Sequence, residues 1–431
     1  MTPVGDGGPA VRRLAEWDAE DLIALAAEYD TPLYVLDCDR VAENCTRLRT
    51  AFPNADVSYA VKAHTGRSVL RTVREAGFDA ECASAGEVER AFHAGFTGER
   101  IRYTAVNPPG RDMDRVVQRW REHPELTITV GAADTVDRLR DRGFDGRLCV
   151  RANPGVGAGH HEKVQTGANA KFGITIERAA DCAEDWADEF DLVGVHAHAG
   201  SGISGDDLSA HRELVSRMGD LAREIGSRTG DLEFVDVGGG FGVPYRPAEP
   251  PLDLEAATRE ALGDVAGRSP ADCRAGFGNV ETTLSVEPGR YVVADAGVLL
   301  TRVNTVKKAR DATVVGVDAG MTALLRPAMY DAHHAIRNLS ADVDAGEARE
   351  TAPVTVAGPI CESADVLCDE RPLPRPERGE VLAVGNAGAY GYEMSSTYNS
   401  RPRPAEVVRS GTTVRLARRR ETIPDLTRLE R

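Results

Sequence analysis

Residues 57–62 read VSYAVK, a short run of β-branched, aromatic and small apolar residues closed by a lysine. Its length and composition fit a strand, and the pattern that follows at Ser68–Glu75 has helical spacing. A second strand-like run, DAECA at Asp79–Ala83, comes next. The alternation continues with IRYT (Ile101–Thr104), LTITV (Leu126–Val130), RLCVR (Arg147–Arg151), LVGVHAH (Leu192–His198), LEFVDV (Leu232–Val237) and TLSVE (Thr283–Glu287). Helical patterns such as Gly86–Ala94, Ala133–Arg142 and Asp207–Ile225 lie between these runs. Eight strands alternating with helices predict the α/β class and a (β/α)8 TIM barrel over residues 39–288.

Beyond the barrel the pattern changes. Val/Thr-rich segments at Tyr291–Val293, Leu299–Lys307, Ala312–Val317, Ala352–Val356, Glu380–Val384 and Thr412–Ala417 are separated by Gly, Pro and Asp clusters. They predict a second, mainly antiparallel β domain over residues 289–431. PLYVLD at Pro32–Asp37 reads as a strand ahead of the first barrel helix, so residues 1–38 are expected to join that sheet. Ser340–Glu350 reads as a solvated loop and Arg371–Glu380 as a Pro-rich linker.

Composition bounds the function classes. The 431 residues carry 68 acids against 52 bases, a net charge of −16, which disfavours nucleic acid and anionic membranes as partners. No apolar run approaches the ~18 residues of a membrane span. Five of the bases are lysines: Lys62, Lys163, Lys171, Lys307 and Lys308. An acidic, lysine-poor surface suits a salt-adapted, halophilic protein, and a GC-rich genome would supply part of the same arginine bias. The eight cysteines (38, 45, 82, 149, 182, 273, 361 and 368) form no CxxC pair. Isolated thiols behind a Gly/Pro-rich tail without export features point to a reducing, cytoplasmic compartment.

The strand ends of a barrel carry its chemistry. Here they hold Lys62; Glu81, Ser84 and Glu87; His198-Ala-Gly-Ser201; Gly238-Gly-Gly-Phe-Gly242; and Glu287-Pro-Gly-Arg290. In a chain that has nearly abandoned lysine, a strand-end lysine suggests a needed amine, because an amine condenses with an aldehyde and a guanidinium does not. The plain alternative is a lysine reaching for solvent. Three glycines in a row allow backbone N–H groups to crowd a phosphate, or merely a tight turn. Glu287 suits a heterocyclic nitrogen, with a structural ion pair as the alternative. His196 and His198 alternate along one strand and share a face, but no further ligands at metal spacing accompany them. A flat imidazole over a flat cofactor fits His198 better. Amine, imidazole, acid and glycines together describe a site for pyridoxal 5′-phosphate.

With these residues in place, the chain resembles the fold-type III pyridoxal-phosphate decarboxylases, most closely their diaminopimelate decarboxylase branch of archaea and bacteria. YAVKA (59–63), ECASAGE (81–87), HAHAGSG (196–202), VDVGGGFG (235–242) and EPGRYVV (287–293) carry the barrel part of the resemblance. RPAMYDAHH (326–334), GPICESAD (358–365) and GAYGYEMSSTYN (388–399) carry the remainder. The resemblance implies decarboxylation of meso-2,6-diaminopimelate to L-lysine and CO2. It assigns the cofactor to Lys62, Glu81, His198, Ser201, Gly238, Gly239, Gly240, Glu287, Gly289, Arg290 and Tyr390. It assigns the substrate to Arg290, Arg326, Tyr330, Glu362 and Tyr390, with Lys62, His198 and Cys361 catalytic. It further implies a homodimer in which Cys361 and Glu362 complete the partner's site. A structural turn with a surface arginine is the plain reading of RPAMYDA. His64, Met321-Thr322-Ala323 and Asn107-Pro108-Pro109-Gly110 depart from the family pattern. A related decarboxylase of arginine, ornithine or carboxynorspermidine is the alternative enzyme. A non-enzymatic cofactor-binding barrel is the alternative of another class, and the motifs past residue 326 count against it.

Overall fold

The computed structural model describes residues 10–156, 158–159, 171–203, 208–261, 282–310, 312–344 and 349–431. Lys163, Cys273, Asp207 and part of Ser340–Glu350 lie outside the described residues. The chain divides into two compact units, residues 44–243 with 250–292, and residues 1–43 with 244–249 and 293–431.

The first unit is the barrel. Strands Asp56–Ala60, Asp79–Cys82, Ile101–Tyr103, Thr127–Val130, Arg147–Asn153, Asp191–His196, Phe234–Asp236 and Thr283–Val286 each pair in parallel with the next. The eighth returns to the first through Ser285↔Asp56 and Val286↔Val57, which closes the ring. The strands are short and nearly continuous in apolar residues because both faces are buried, one inside the barrel and one under helices. Helices Arg67–Glu75, Ala85–Ala94, Gly110–Glu122, Ala133–Arg140, Ile176–Trp186 and Ser209–Thr229 follow successive strands. Ser84 starts the second of these by accepting the Glu87 N–H, while Gly95 ends it in the left-handed region at φ 94°.

The second unit is, among the described residues, a mainly antiparallel sheet of nine strands. Leu33–Asp37 sits at its centre, antiparallel to Gly297–Ala309 and parallel to Ala405–Ser410. The period of two along this strand feeds two cores. Leu33 and Val35 pack with Trp17, Leu22, Val298, Leu300 and Val407, whereas Tyr34 packs with Leu299, Val315 and Val356.

Four segments differ from the sequence expectation. Tyr291–Val293 is the helical turn Arg290–Val293, continued by a 3-10 turn at Ala294–Ala296. All three residues are buried, and tertiary burial overrides their β preference. The expected linker at Arg371–Glu380 begins inside strand Val366–Pro374. Its prolines are tolerated because this is the edge strand, where a missing N–H costs little. Leu339–Val343 is a short helix capped by the Asn338 side chain, so the expected loop at Ser340–Glu350 begins inside a helix. Strand Ala405–Ser410, beside Leu33–Asp37, lay outside the predicted elements.

A buried ion pair ties the sheet unit together. Arg40, fully buried, gives Nε and Nη2 to Asp295 Oδ2 at 3.1 and 2.7 Å. The Arg12 N–H donates to the same oxygen at 2.9 Å. Removing one member of such a pair strands a charge, at a cost of about 3–5 kcal/mol. Arg40→Met should therefore lose roughly that much stability in urea denaturation. Arg223→Ala, which removes an exposed helix pair with Asp220, should leave the midpoint nearly unchanged.

Candidate active site

Lys62 does not close the first strand, as the sequence suggested. The strand stops at Ala60, and Val61–Ala63 form a 3-10 turn with Val61 and Ala63 buried and the Lys62 side chain turned outward. Lys62 Nζ donates to Glu81 Oε2 at 3.0 Å, from a side chain 44% exposed to a carboxylate 2% exposed. The turn is pinned to the opposite end of the barrel sequence. The Ala60 N–H donates to Pro288 O at 3.1 Å. A Cβ on Gly289 would lie 3.0 Å from Ala60 Cβ and 3.1 Å from Ala63 Cβ, so glycine there permits the close approach. His64, the departure from the family pattern, is buried and its Nδ1 accepts the Gly66 N–H at 3.1 Å. A side-chain acceptor is thus kept at this position.

Glu287 follows the eighth strand and is buried. Its N–H donates to Gly238 O at 2.9 Å, and its Oε2 lies 3.0 Å from His196 Nε2. Burial first, then the charge of Glu81, raises the Glu287 carboxyl above its usual range, against the pull of Lys62, Arg151 and Arg102. Burial and the Arg151 charge push His196 down to about 3. A neutral His196 donating from Nε2 leaves Nδ1 as a buried lone pair, and that atom has no partner among the described residues.

His198 lies beyond the strand, which ends at His196, so the two histidines do not share one strand face as expected. Its Nδ1 accepts the Gly239 N–H at 3.2 Å, which leaves the proton of the neutral ring on Nε2. Burial, then Lys62, lowers its pKa well below the ordinary imidazole value. The glycine run is clamped from three sides. A Cβ would come within 2.6 Å of Ala197 O at Gly238, 2.0 Å of Glu287 O at Gly239 and 2.4 Å of Gly200 O at Gly240. The N–H groups of Gly238 and Gly239 are already given to Asp236 and His198. Arg290 Nη2 reaches Ser201 Oγ at 3.3 Å, joining two of the predicted cofactor residues.

Beneath this rim lies a charged layer that the sequence reading missed. Asp236 accepts from Gly238 N through Oδ1 at 2.8 Å. Its Oδ2 accepts from Arg102 Nη1 at 3.0 Å and Ser285 Oγ at 2.9 Å. Burial and the Glu287 charge raise Asp236 to about 6. Arg102 lies over the Phe234 ring at 4.0 Å, and Arg151 is buried in the fifth strand. The available signal was a charged residue inside an otherwise apolar barrel strand, in IRYT, RLCVR and FVDV. His196, Asp236 and Glu287 offer ligand atoms within 4.8 Å of one another. Since Asp236 already takes three donors and Glu287 pairs with His196, we read them as a hydrogen-bond network.

In the sheet unit, Arg326–Tyr330 is a helical turn with proline in its first turn, as the plain reading held, but Arg326 is buried. Tyr330 is half-buried. Tyr390 takes φ 56°, a left-handed conformation uncommon outside glycine and frequent at functional sites. Cys361 and Glu362 are exposed on a loop organised by buried Asp365. The carboxylate of Asp365 accepts from Met321 N at 2.6 Å and Ile360 N at 3.0 Å. Met321 serves through its backbone, so the departure from the family pattern at Thr322-Ala323 leaves this contact in place.

These residues fit pyridoxal phosphate. An amine, a buried acid, a pinned imidazole and a glycine run too crowded for any Cβ converge on one barrel rim. The family described as pyridoxal-dependent decarboxylase, pyridoxal binding domain, matches residues 38–294. The chain is 41% identical to diaminopimelate decarboxylase of Methanothermobacter thermautotrophicus, over 95% of this chain and 93% of that one. It is 36% identical to that of Escherichia coli K12, over 96% of each. The structure of the Helicobacter pylori diaminopimelate decarboxylase complexed with L-lysine superposes with a TM-score of 0.84 at 31% identity, covering 95% of this chain and 99% of that one. The matched barrel and the near full-length relatives agree: the chain belongs to the diaminopimelate decarboxylases, within the pyridoxal-dependent decarboxylase family.

Proposed function

We propose that this protein decarboxylates meso-2,6-diaminopimelate to L-lysine and CO2, the last step of lysine biosynthesis, with pyridoxal 5′-phosphate as cofactor. The observation that carries this reading is the rim where Lys62 meets Glu81 and Glu287 meets His196. Bound pyridoxal phosphate supplies an electron sink for the pair released when the bond to the leaving carboxylate breaks.

The chain's own groups supply the rest. Lys62 Nζ would hold the cofactor through its aldehyde, and Glu81, at 3.0 Å, would orient that amine. Glu287, whose proton affinity is raised by burial, becomes a favourable carboxylate once a cationic ring nitrogen stands beside it. His198, held by the Gly239 N–H, would cover the face of the cofactor ring. Arg290 and Ser201 would take the phosphate, and the glycine run, whose Gly238 and Gly239 N–H groups hold Asp236 and His198, would let it approach the backbone closely, with Gly289 letting the Lys62 turn close in. Arg326 and Tyr330, with Arg290, bind the distal carboxylate, a planar anion suited to a guanidinium fork. Tyr390 would lie against cofactor and substrate. Glu362 takes the distal ammonium, and the Cys361 thiol gives a proton to the carbon that lost CO2. The exposure of Cys361 and Glu362 on the isolated chain supports their donation to a second copy. We read the protein as a cytoplasmic, salt-adapted homodimer. Among the described residues no helix is long and apolar enough to cross a membrane.

Release of CO2 from meso-diaminopimelate, and little from ornithine, arginine or carboxynorspermidine, is the expected assay result. Preference for one of the other three would overturn the substrate assignment. Borohydride reduction and peptide mapping should place the pyridoxyl group on Lys62, and its recovery on Lys163 or Lys171 would refute the site. Mixing inactive Lys62→Ala with inactive Glu362→Ala should restore part of the activity if sites are shared. Dimer content and activity should also rise together from ~0.1 to ~2 M KCl as screening relieves the acidic surface. No recovery despite demonstrated subunit exchange would count against sharing, and a flat salt profile against adaptation.

A further inference from the structure

Arg326 is held in a box whose other walls, His334 and Tyr245, were given no role in the sequence reading. Its Nη1 lies 2.9 Å from His334 Nε2. A guanidinium only donates, so His334 Nε2 is the acceptor and the ring's proton sits on Nδ1. That nitrogen lies 2.8 Å from Gly385 O, which only accepts, so both contacts are satisfied by one tautomer of a neutral imidazole. His334 is fully buried, and its own carbonyl accepts from Arg371 Nη1 at 2.9 Å. The other wall is Tyr245, whose ring lies 4.8 Å from the Arg326 guanidinium carbon. Tyr245 meets the His334 ring edge-on at 5.2 Å and 79°. Its carbonyl lies 3.2 Å from His333 Nδ1. The imidazole takes one N–H and the phenol ring covers one face, which fixes both the rotation and the plane of the guanidinium.

We infer that His334 is a positioning residue for substrate specificity: in its Nδ1-protonated form it accepts from Arg326 and, with Tyr245, locks the guanidinium fork in the orientation that reads the distal carboxylate. This rests on the assignment of Arg326 to that carboxylate. A guanidinium free to rotate must be ordered by each substrate molecule, whereas a locked one is ordered beforehand. The distal carboxylate is remote from the breaking bond, so loss of the lock should appear in KM more than in kcat.

The test uses the holoenzyme with His334→Leu, His334→Gln, Arg326→Leu and the Arg326→Leu/His334→Leu double variant. Two competitive inhibitors separate the carboxylate contact from general damage. L-lysine keeps the distal carboxylate after decarboxylation, and 1,5-diaminopentane has none. His334→Leu should raise KM for meso-diaminopimelate and Ki for L-lysine by roughly tenfold or more, the size of a lost charged hydrogen bond. Ki for 1,5-diaminopentane and the cofactor content should hardly move. His334→Gln keeps an acceptor near the Nε2 position and should recover most of the loss. The double variant should be no worse than Arg326→Leu alone, because His334 acts through Arg326. Normal kinetics in Arg326→Leu would refute the carboxylate assignment itself. An impaired Arg326→Leu beside a normal His334→Leu would overturn the positioning role and leave the assignment standing. Equal weakening of both inhibitors, with no recovery in His334→Gln, would also overturn it, as would fallen cofactor content in both His334 variants.

Discussion

Closing the barrel forces its last strand against its first, and the site is a consequence of that closure. Ser285 and Val286 pair with Asp56 and Val57, so Glu287 and the Lys62 turn are neighbours despite their separation in the chain. Pro288 O then takes the Ala60 N–H, and glycine at 289 lets the two backbones meet. Glu287 is held in the same stroke, its N–H on Gly238 O and its carboxylate on His196. A carboxylate in so dry a place has its proton affinity raised unless a cation joins it. Among the described residues its side-chain partner at hydrogen-bond distance is His196, and the ring nitrogen of a pyridoxal, as proposed above, would supply the cation. The burial that makes Glu287 costly in isolation therefore suits it to hold a cofactor proton.

Asp236 extends this constraint downward. Its carboxylate binds the Gly238 N–H on one side and Arg102 and Ser285 on the other, so the glycine loop hangs from an ion pair in the barrel interior. The interior is thus more than a scaffold of apolar layers. Its charged layer fixes where Gly238–Gly240 run, and the Gly239 N–H in turn fixes His198.

How much of this was legible follows from what each signal depends on. The barrel strands could be read because parallel strands buried on two faces leave short apolar runs, with helices returning at regular intervals. Glu287 and Lys62 were legible by chemistry, because each stood out against its surroundings in sequence. Asp236, Arg102 and Arg151 also stood inside apolar runs, but their partners are on other strands, and no local pattern tells an inward charge from a strand-end one. Tyr291–Val293 misled because a single buried turn needs little helix propensity. His334 and Tyr245 could not be paired by any local rule. Segment 244–249 leaves the barrel sequence to pack with residues 293–431, and such an excursion carries no periodic signature.

Arginine supplies nearly every positive charge in this chain, including buried ones at positions 40, 102 and 326 where a planar fork meets carboxylates or a ring. Among the described lysines, Lys307 and Lys308 are exposed near the end of strand Gly297–Ala309, and Lys171 lies over Phe172. Arginine would serve at each of those positions. At position 62 it would keep the ion pair with Glu81 but could not condense with an aldehyde. Among the described lysines, position 62 is the one at which the proposed attachment of an aldehyde cofactor would require the amine itself.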